Sequence, residues 1–173
     1  MFEYIYRDML SMVRFLPYGL VLGVVVFVIL FRTMNGIRKR SGRGPAAMLP
    51  VAAFGTYLSL MLVITFLSRE SGSGGDGIDL ELFSTWGIND RNNAFVVENV
   101  LLFIPYGILG PWAMERLKRL WSCVLLGAVT SLTIEILQLV TERGYFQIDD
   151  ILTNILGTAI GYFVWRLFFH GRK

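Results

Sequence analysis

The chain has 173 residues, of which 54% are hydrophobic and only 17% charged. Soluble domains carry about 25% charged residues, and here the apolar excess falls in long blocks, which excludes an ordinary soluble core and points to membrane-spanning segments. The formal net charge of +3 is small and unevenly spread, so it reads as membrane orientation and not as a nucleic-acid footprint. The single cysteine, Cys123, precludes an intrachain disulfide and reads as a small buried apolar side chain.

In chain order, residues 1–14 form a first unit. Phe2, Ile5, Tyr6, Met9 and Val13 recur at helical spacing, which predicts a short amphipathic helix lying in the membrane interface. Phe15 to Phe31 is uncharged and flanked by Arg14 and Arg32. It has no Ala-x-Ala-like cleavage site and is expected to be a retained first span. With the basic loop that follows, it makes a second unit, residues 15–45. Residues 46–173 make the third, a membrane domain. Its spans are predicted over Gly44 to Ser68, Asn92 to Met114, Leu120 to Thr141 and Ile151 to Phe169, each close to the ~20 residues that cross a bilayer. Between the second and third spans, Ser-Gly-Ser-Gly-Gly-Asp-Gly reads as a flexible stretch. Ile78 to Trp86 reads as more ordered, with Leu80, Leu82, Phe83 and Trp86 at headgroup level. Trp86, Trp112, Trp121, Tyr162 and Trp165 fall near segment ends, as interfacial belts do. The fold class is therefore all-α, a polytopic bundle of about five transmembrane helices.

The cations set a direction. Arg32, Arg38, Lys39, Arg40, Arg43, Arg116, Lys118, Arg119, Arg166, Arg172 and Lys173 fall on one side, against Arg7, Arg14, Arg69, Arg91 and Arg143 on the other. The positive-inside rule makes the first set cytoplasmic, with the N-terminus outside and the C-terminus inside.

Polar residues then mark the last three spans. Gly127, Ser131, Glu135 and Gln138 share one face of the fourth by spacings of four, four and three. Asp150, Asn154, Gly157 and Gly161 share one face of the fifth, and Gly157-x-x-x-Gly161 permits close helix approach. The third span has Glu98 and Asn99 in its first turns, followed by Pro105, where a kink is expected. Alternation of the spans brings Glu98, Asn99, Glu135, Gln138, Asp149, Asp150 and Asn154 to one end of the bundle, with Arg91 and Arg143 as flanking cations. Charges in lipid are costly, which makes such a gathering a candidate site. Each residue also has a plainer reading. Asn99, Ser131, Gln138 and Asn154 can tie helices together, and Asp149 and Asp150 can cap a helix. No metal-ligand spacing, phosphate-cradling loop or nucleophilic triad is present, so no metal or cofactor is expected.

Three stretches carry a family resemblance. Asn99-Val-Leu-Leu-Phe-Ile-Pro-Tyr-Gly107 resembles the Asn-(Ile/Val)-Leu-Leu-Phe-x-Pro-x-Gly motif of the VanZ-like family. Ser131-x-x-x-Glu135-x-x-Gln138 is similar to its Ser-x-x-x-Glu-x-x-Gln helix. Arg143 to Gly161 resembles its Arg-x-x-x-Asp-x-x-Asp-x-x-x-Asn-x-x-Gly segment. Ile78-Asp79-Leu80 to Phe83 resembles the family's Asn-Leu-Ile-Pro-Phe loop, with Asp79 for the Asn and Leu82 for the Pro. The likeness covers roughly residues 50 to 168. It implies a small multi-pass protein of the bacterial cytoplasmic membrane, associated with low-level resistance to the lipoglycopeptide teicoplanin.

Three functions follow as alternatives. An outward-facing polar pocket would bind membrane lipids, a lipid-linked cell-wall precursor or the lipoglycopeptide, with Asn99, Ser131, Gln138, Arg143, Asp149, Asn154 and Arg91 as binding residues. An integral membrane enzyme would use Glu135, Glu98 and Asp150 as its acid/base groups on a lipid-linked substrate. An ion-coupled transporter would use the same carboxyls, although no internal repeat of the kind transporters show is visible.

Overall fold

The computed structural model describes residues 1–67, 69 and 77–169. Among them are six helices: α1 (Phe2–Val13), α2 (Leu16–Arg40), α3 (Met48–Leu67), α4 (Asp90–Ala113), α5 (Leu120–Val140) and α6 (Ile148–Phe169). Helices α2 to α6 are each long and apolar enough to cross a membrane. The chain is thus the all-α membrane bundle its hydropathy predicts. The one departure is a two-residue parallel pairing of β1 (Ile78–Asp79) with β2 (Phe146–Gln147). The Gly/Ser stretch at 71–76, together with Glu70, His170, Arg172 and Lys173, lies outside the described residues.

Glycines decide how the helices pair. α4 and α6 run parallel and make the most extensive helix contact. A Cβ on Gly107 would land on the Thr158 carbonyl, one on Gly157 on the Val100 carbonyl, and one on Gly161 on the Ile104 carbonyl. Backbone thus meets backbone along this seam, the close approach that small residues permit in lipid. α5 lies antiparallel against α6, with Gly127 facing Thr158. α2 and α3 form a separate antiparallel hairpin through Gly19, Gly23 and Gly55, which face Leu60, Thr56 and Phe27. α2 is the peripheral helix, with almost none of its length buried.

Several boundaries move. α2 runs on to Arg40, so the cations expected in a loop occupy its last turns, where Arg38, Lys39 and Arg40 complement the negative helix terminus. α4 continues unbroken through Pro105 and Pro111. The Tyr57 hydroxyl of α3 donates to the Leu102 carbonyl, beside the Leu101 carbonyl whose helical donor Pro105 lacks. Tyr162 and Trp165 are not interfacial. They are buried with Leu117 and Cys123 at the basic end, and the Tyr162 hydroxyl donates to the Lys118 carbonyl at 2.8 Å. Two buried aromatics at a segment end read the same in sequence as two facing headgroups. Trp86, Trp112 and Trp121 are exposed as expected.

The bundle therefore has two unlike ends. At the basic end, Arg38 and Arg43 come close enough to act on Glu115 of the short turn Glu115–Lys118. At the acidic end meet the last turns of α3 and α5 and the first turns of α4 and α6. α1 is fastened there. Its Asp8 pairs with Arg91 at 2.5 Å, and of its predicted apolar stripe only Ile5 is buried by protein. Phe2, Tyr6, Met9 and Val13 stay exposed.

Candidate functional site

α5 supplies the deepest acid. Glu135 is 2% exposed, and its Oε2 accepts the backbone N–H of Gln147 at 3.0 Å. One turn on, Gln138, also 2% exposed, donates Nε2 to the Thr65 carbonyl of α3 at 3.2 Å, and its Oε1 has no donor. One turn earlier, fully buried Ser131 accepts from Asn154 Nδ2 of α6 at 2.8 Å, leaving Asn154 Oδ1 without a donor. Asp150 is 9% exposed, lies beside the Asn99 side chain of α4 and acts electrostatically on Glu135. The 3.6-residue repeat thus turns Ser131, Glu135 and Gln138 inward from one face of α5 and Asp150 and Asn154 inward from one face of α6, as their spacing predicts. Together with Asn99 of α4 they form the polar network of this end.

Glu98 joins less directly. It is half-buried and faces Asp8 and Arg91, with one carboxylate oxygen buried and without a donor. Its link to Glu135 and Asp150 runs through Arg69, which among the described residues is the one cation that acts on all three carboxyls. No carboxylate closes on Arg69 to ion-pair distance among the described residues.

Three predicted members do other work. Arg143 does not face the acids. Its Nη1 donates to the Phe66 and Arg69 carbonyls at 2.8 and 3.2 Å, capping the open end of α3. Arg91 is held by Asp8 and by the Phe95 ring, 4.3 Å from its guanidinium. Asp149 is neither a cap of its own helix nor a member of the network. It sits about a third of a turn away from Asp150 around α6. Its two oxygens accept the backbone N–H groups of Phe83 and Thr85 at 2.7 and 3.0 Å, which fixes the 79–86 loop on the bundle.

The same loop shows what the Asp79 exchange does. Asp79 accepts the Ser84 hydroxyl on Oδ2 at 2.8 Å and the Glu81 N–H on Oδ1 at 3.0 Å; an Asn oxygen can take the Glu81 bond, while its Nδ2 would have to donate to the Ser84 hydroxyl oxygen instead. The Ser84 hydroxyl first, then the Glu81 amide, holds its carboxyl below the usual range. Phe83 takes a left-handed φ of 62°. With Trp86 it stands over an apolar groove of about 490 Å³ between α4 and α6, lined by Val97, Val100, Leu152 and Leu156. None of the carboxyl network's residues lines that groove.

Arg69 is the residue sequence reasoning missed as a site member. It was visible as a cation closing the second span at the acidic end. Arg91 and Arg143 lie nearer in sequence to the carboxyls. Gly144 was a further signal. Arg69 Nη1 and Gln138 Oε1 lie 2.6 and 3.5 Å from the point where a Cβ on Gly144 would sit, so a bare backbone there lets the guanidinium pass over α5's end.

The architecture defines a multi-pass helical membrane protein whose last three spans hold a buried acid and amide network at one end. Residues 15–169 match the VanZ/LLP1 family, and the chain belongs to it. The match takes in α2 as well as the region from residue 50 where the motifs lie. No curated protein and no solved structure matches the chain.

Proposed function

We propose that this protein contributes to resistance against lipoglycopeptide antibiotics such as teicoplanin. In this reading it sits in the bacterial cytoplasmic membrane with its acidic end outward. There the α4–α5–α6 network, with Arg69, binds the headgroup of a lipid-linked envelope component or the drug itself. The observation that supports it is a set of three buried acceptors left without donors, Glu98 Oε1, Gln138 Oε1 and Asn154 Oδ1, one on each helix. An unpaired buried polar group costs roughly 1–3 kcal/mol, so three of them beside buried carboxyls indicate a place completed by a guest or by water rather than a self-sufficient structural knot. The orientation is the one that the cation distribution favours.

The test compares susceptible cells carrying the protein, Glu135→Gln, Asp150→Asn or no protein, with membrane levels measured for each. Teicoplanin tolerance from the native chain, reduced in both variants at equal levels, is the expected result. Native chain and empty cells that respond alike would overturn the reading.

A second reading has its own support. Glu135 Oε2 accepts the Gln147 N–H, and Asp150 acts electrostatically on the same carboxyl. That is the arrangement a general acid/base with an orienting partner needs. An enzyme would change the lipid-linked species themselves. Identical lipid extracts from native and Glu135→Gln cells, compared by mass spectrometry, would remove this alternative.

A further inference from the structure

The chemical class of the guest follows from what the site lacks. Its unpaired atoms are all acceptors: Gln138 Oε1 and Asn154 Oδ1, on side chains 2% and 4% exposed, and Glu98 Oε1. A guest that satisfies acceptors must donate hydrogen bonds. The charges agree. Glu98, Glu135 and Asp150 face one shared cation, Arg69. The other two nearby cations are engaged elsewhere, Arg91 on Asp8 and Arg143 on the α3 carbonyls. A phosphate or carboxylate headgroup would find a single exposed guanidinium and three acids, a combination that like-charge repulsion disfavours. An ammonium would find the Glu135 and Asp150 carboxyls and, one turn along α5, the unpaired Gln138 carbonyl oxygen. Arg69 reaches the site from outside it, over Gly144, without closing an ion pair.

We propose that this site recognises a primary amine on an amphiphile, and that Arg69 is the tethered cation such an amine competes with. The inference rests on the network being a binding site, as read above, and adds the ligand's charge and the role of Arg69. Arg69 is a specificity-determining residue in this scheme: it holds off weak cations and yields to an amine anchored by its tail in the bilayer.

The experiment measures thermal unfolding of the purified full chain in neutral detergent with four probes: dodecylamine, ethylamine, dodecyl phosphate and dodecanol. Saturable stabilisation by dodecylamine, absent with dodecyl phosphate and dodecanol, is expected. Ethylamine separates the sources. Equal effect at equal concentration assigns the amine to a soluble compound and overturns the lipid-anchored part, whereas a much weaker effect supports it. Arg69→Gln changes an exposed side chain and leaves the helix contacts intact. It should tighten dodecylamine binding about tenfold by removing a competing charge, and Glu135→Gln should weaken it by a similar factor. Stabilisation by dodecyl phosphate alone, no shift with either amine, or weaker amine binding in Arg69→Gln would each overturn the proposal. Its failure is separable from that of the resistance reading. Loss of teicoplanin tolerance in Glu135→Gln cells with phosphate-selective binding would sink the ligand class and leave the function standing. Amine binding abolished by Glu135→Gln with tolerance intact would do the reverse.

Discussion

Two helix pairs in this bundle solve the same packing problem and differ in what they carry. In the α2–α3 hairpin, Gly19, Gly23 and Gly55 let two apolar helices approach, and α2 turns nearly all of its surface outward. In the α4–α6 pair, Gly107, Gly157 and Gly161 bring backbone against backbone. There the first turns of the same helices also hold Glu98, Asn99, Asp150 and Asn154. Glycine spacing alone therefore says that helices meet, not that they do chemistry. What separates the pairs is the third partner. α5 brings Ser131 against α6, Glu135 against the β2 strand that leads into it and Gln138 against α3, so polar groups that would be costly in lipid are enclosed by protein.

The comparison is broken most severely at the seam. Gly161→Leu forces a side chain onto the Ile104 carbonyl and should cost ~3 kcal/mol or more, seen as loss of a monodisperse, cooperatively melting protein in detergent. Gly36→Leu on α2, where a Cβ meets nothing, should leave melting unchanged. If both behave alike, the two pairs are not different in kind.

Next comes the loop clamp. Asp149→Ala leaves the Phe83 and Thr85 amides without their acceptor, a loss of about 1–3 kcal/mol confined to that loop. Hydrogen exchange at those two amides should accelerate about tenfold or more, while α5 amides near Glu135 hold their protection. Spread of the effect to α5 would show that the loop and the network are one unit.

Gly23→Ala tests the outer hairpin. The new methyl would lie 3.1 Å from Thr56 Cα and Oγ1. Because α2 can shift outward into lipid, about 1 kcal/mol or less is expected, read as a small drop in melting midpoint. A loss as large as that of Gly161→Leu would make α2 as integral as α6.

The smallest effect is at Asp79. Asp79→Asn keeps the Glu81 bond and can reverse the Ser84 one, so it should be near neutral, whereas Asp79→Ala should cost ~0.5 kcal/mol at this half-exposed site. Its carboxyl is held low in the folded loop, chiefly by Ser84. A group with a lowered folded-state value adds stability above its unfolded range, and that stability is lost as pH falls through the folded value. Trp86 fluorescence should therefore be flat at neutral pH and change only in acid, with the acid transition missing in Asp79→Asn. A transition near neutrality would assign the loop's pH response to another group.

Much of this molecule was legible before any coordinates. Uncharged blocks of about 20 residues define five spans because lipid admits little else. The i, i+3, i+4 repeat put Ser131, Glu135 and Gln138 on one face, and Asp150 with Asn154 on another, because helix geometry allows no alternative. Chain alternation brought those faces to one end. Less legible was the function of any residue whose partner is fixed by rotation of a helix or by a distant loop. Asp149 and Asp150 are adjacent in sequence, yet one clamps backbone amides and the other joins the network. Arg143 and Arg69 are both cations at the acidic end, yet only Arg69 faces the carboxyls. Tyr162 and Trp165 look interfacial and are buried.

The amino-acid order by itself determined which segments cross the membrane, which end gathers acids and amides, and which family the motifs resemble, since all three depend on local periodicity and hydropathy. Only the tertiary structure decided which cation meets which carboxyl, which acceptors go unpaired, and that the apolar groove under Phe83 and Trp86 is lined by none of the polar network's residues. Those outcomes depend on the rotation of each helix about its axis. That rotation is set by glycine contacts made tens of residues apart, between Gly107 and Thr158 or Gly161 and Ile104, and no local pattern encodes it.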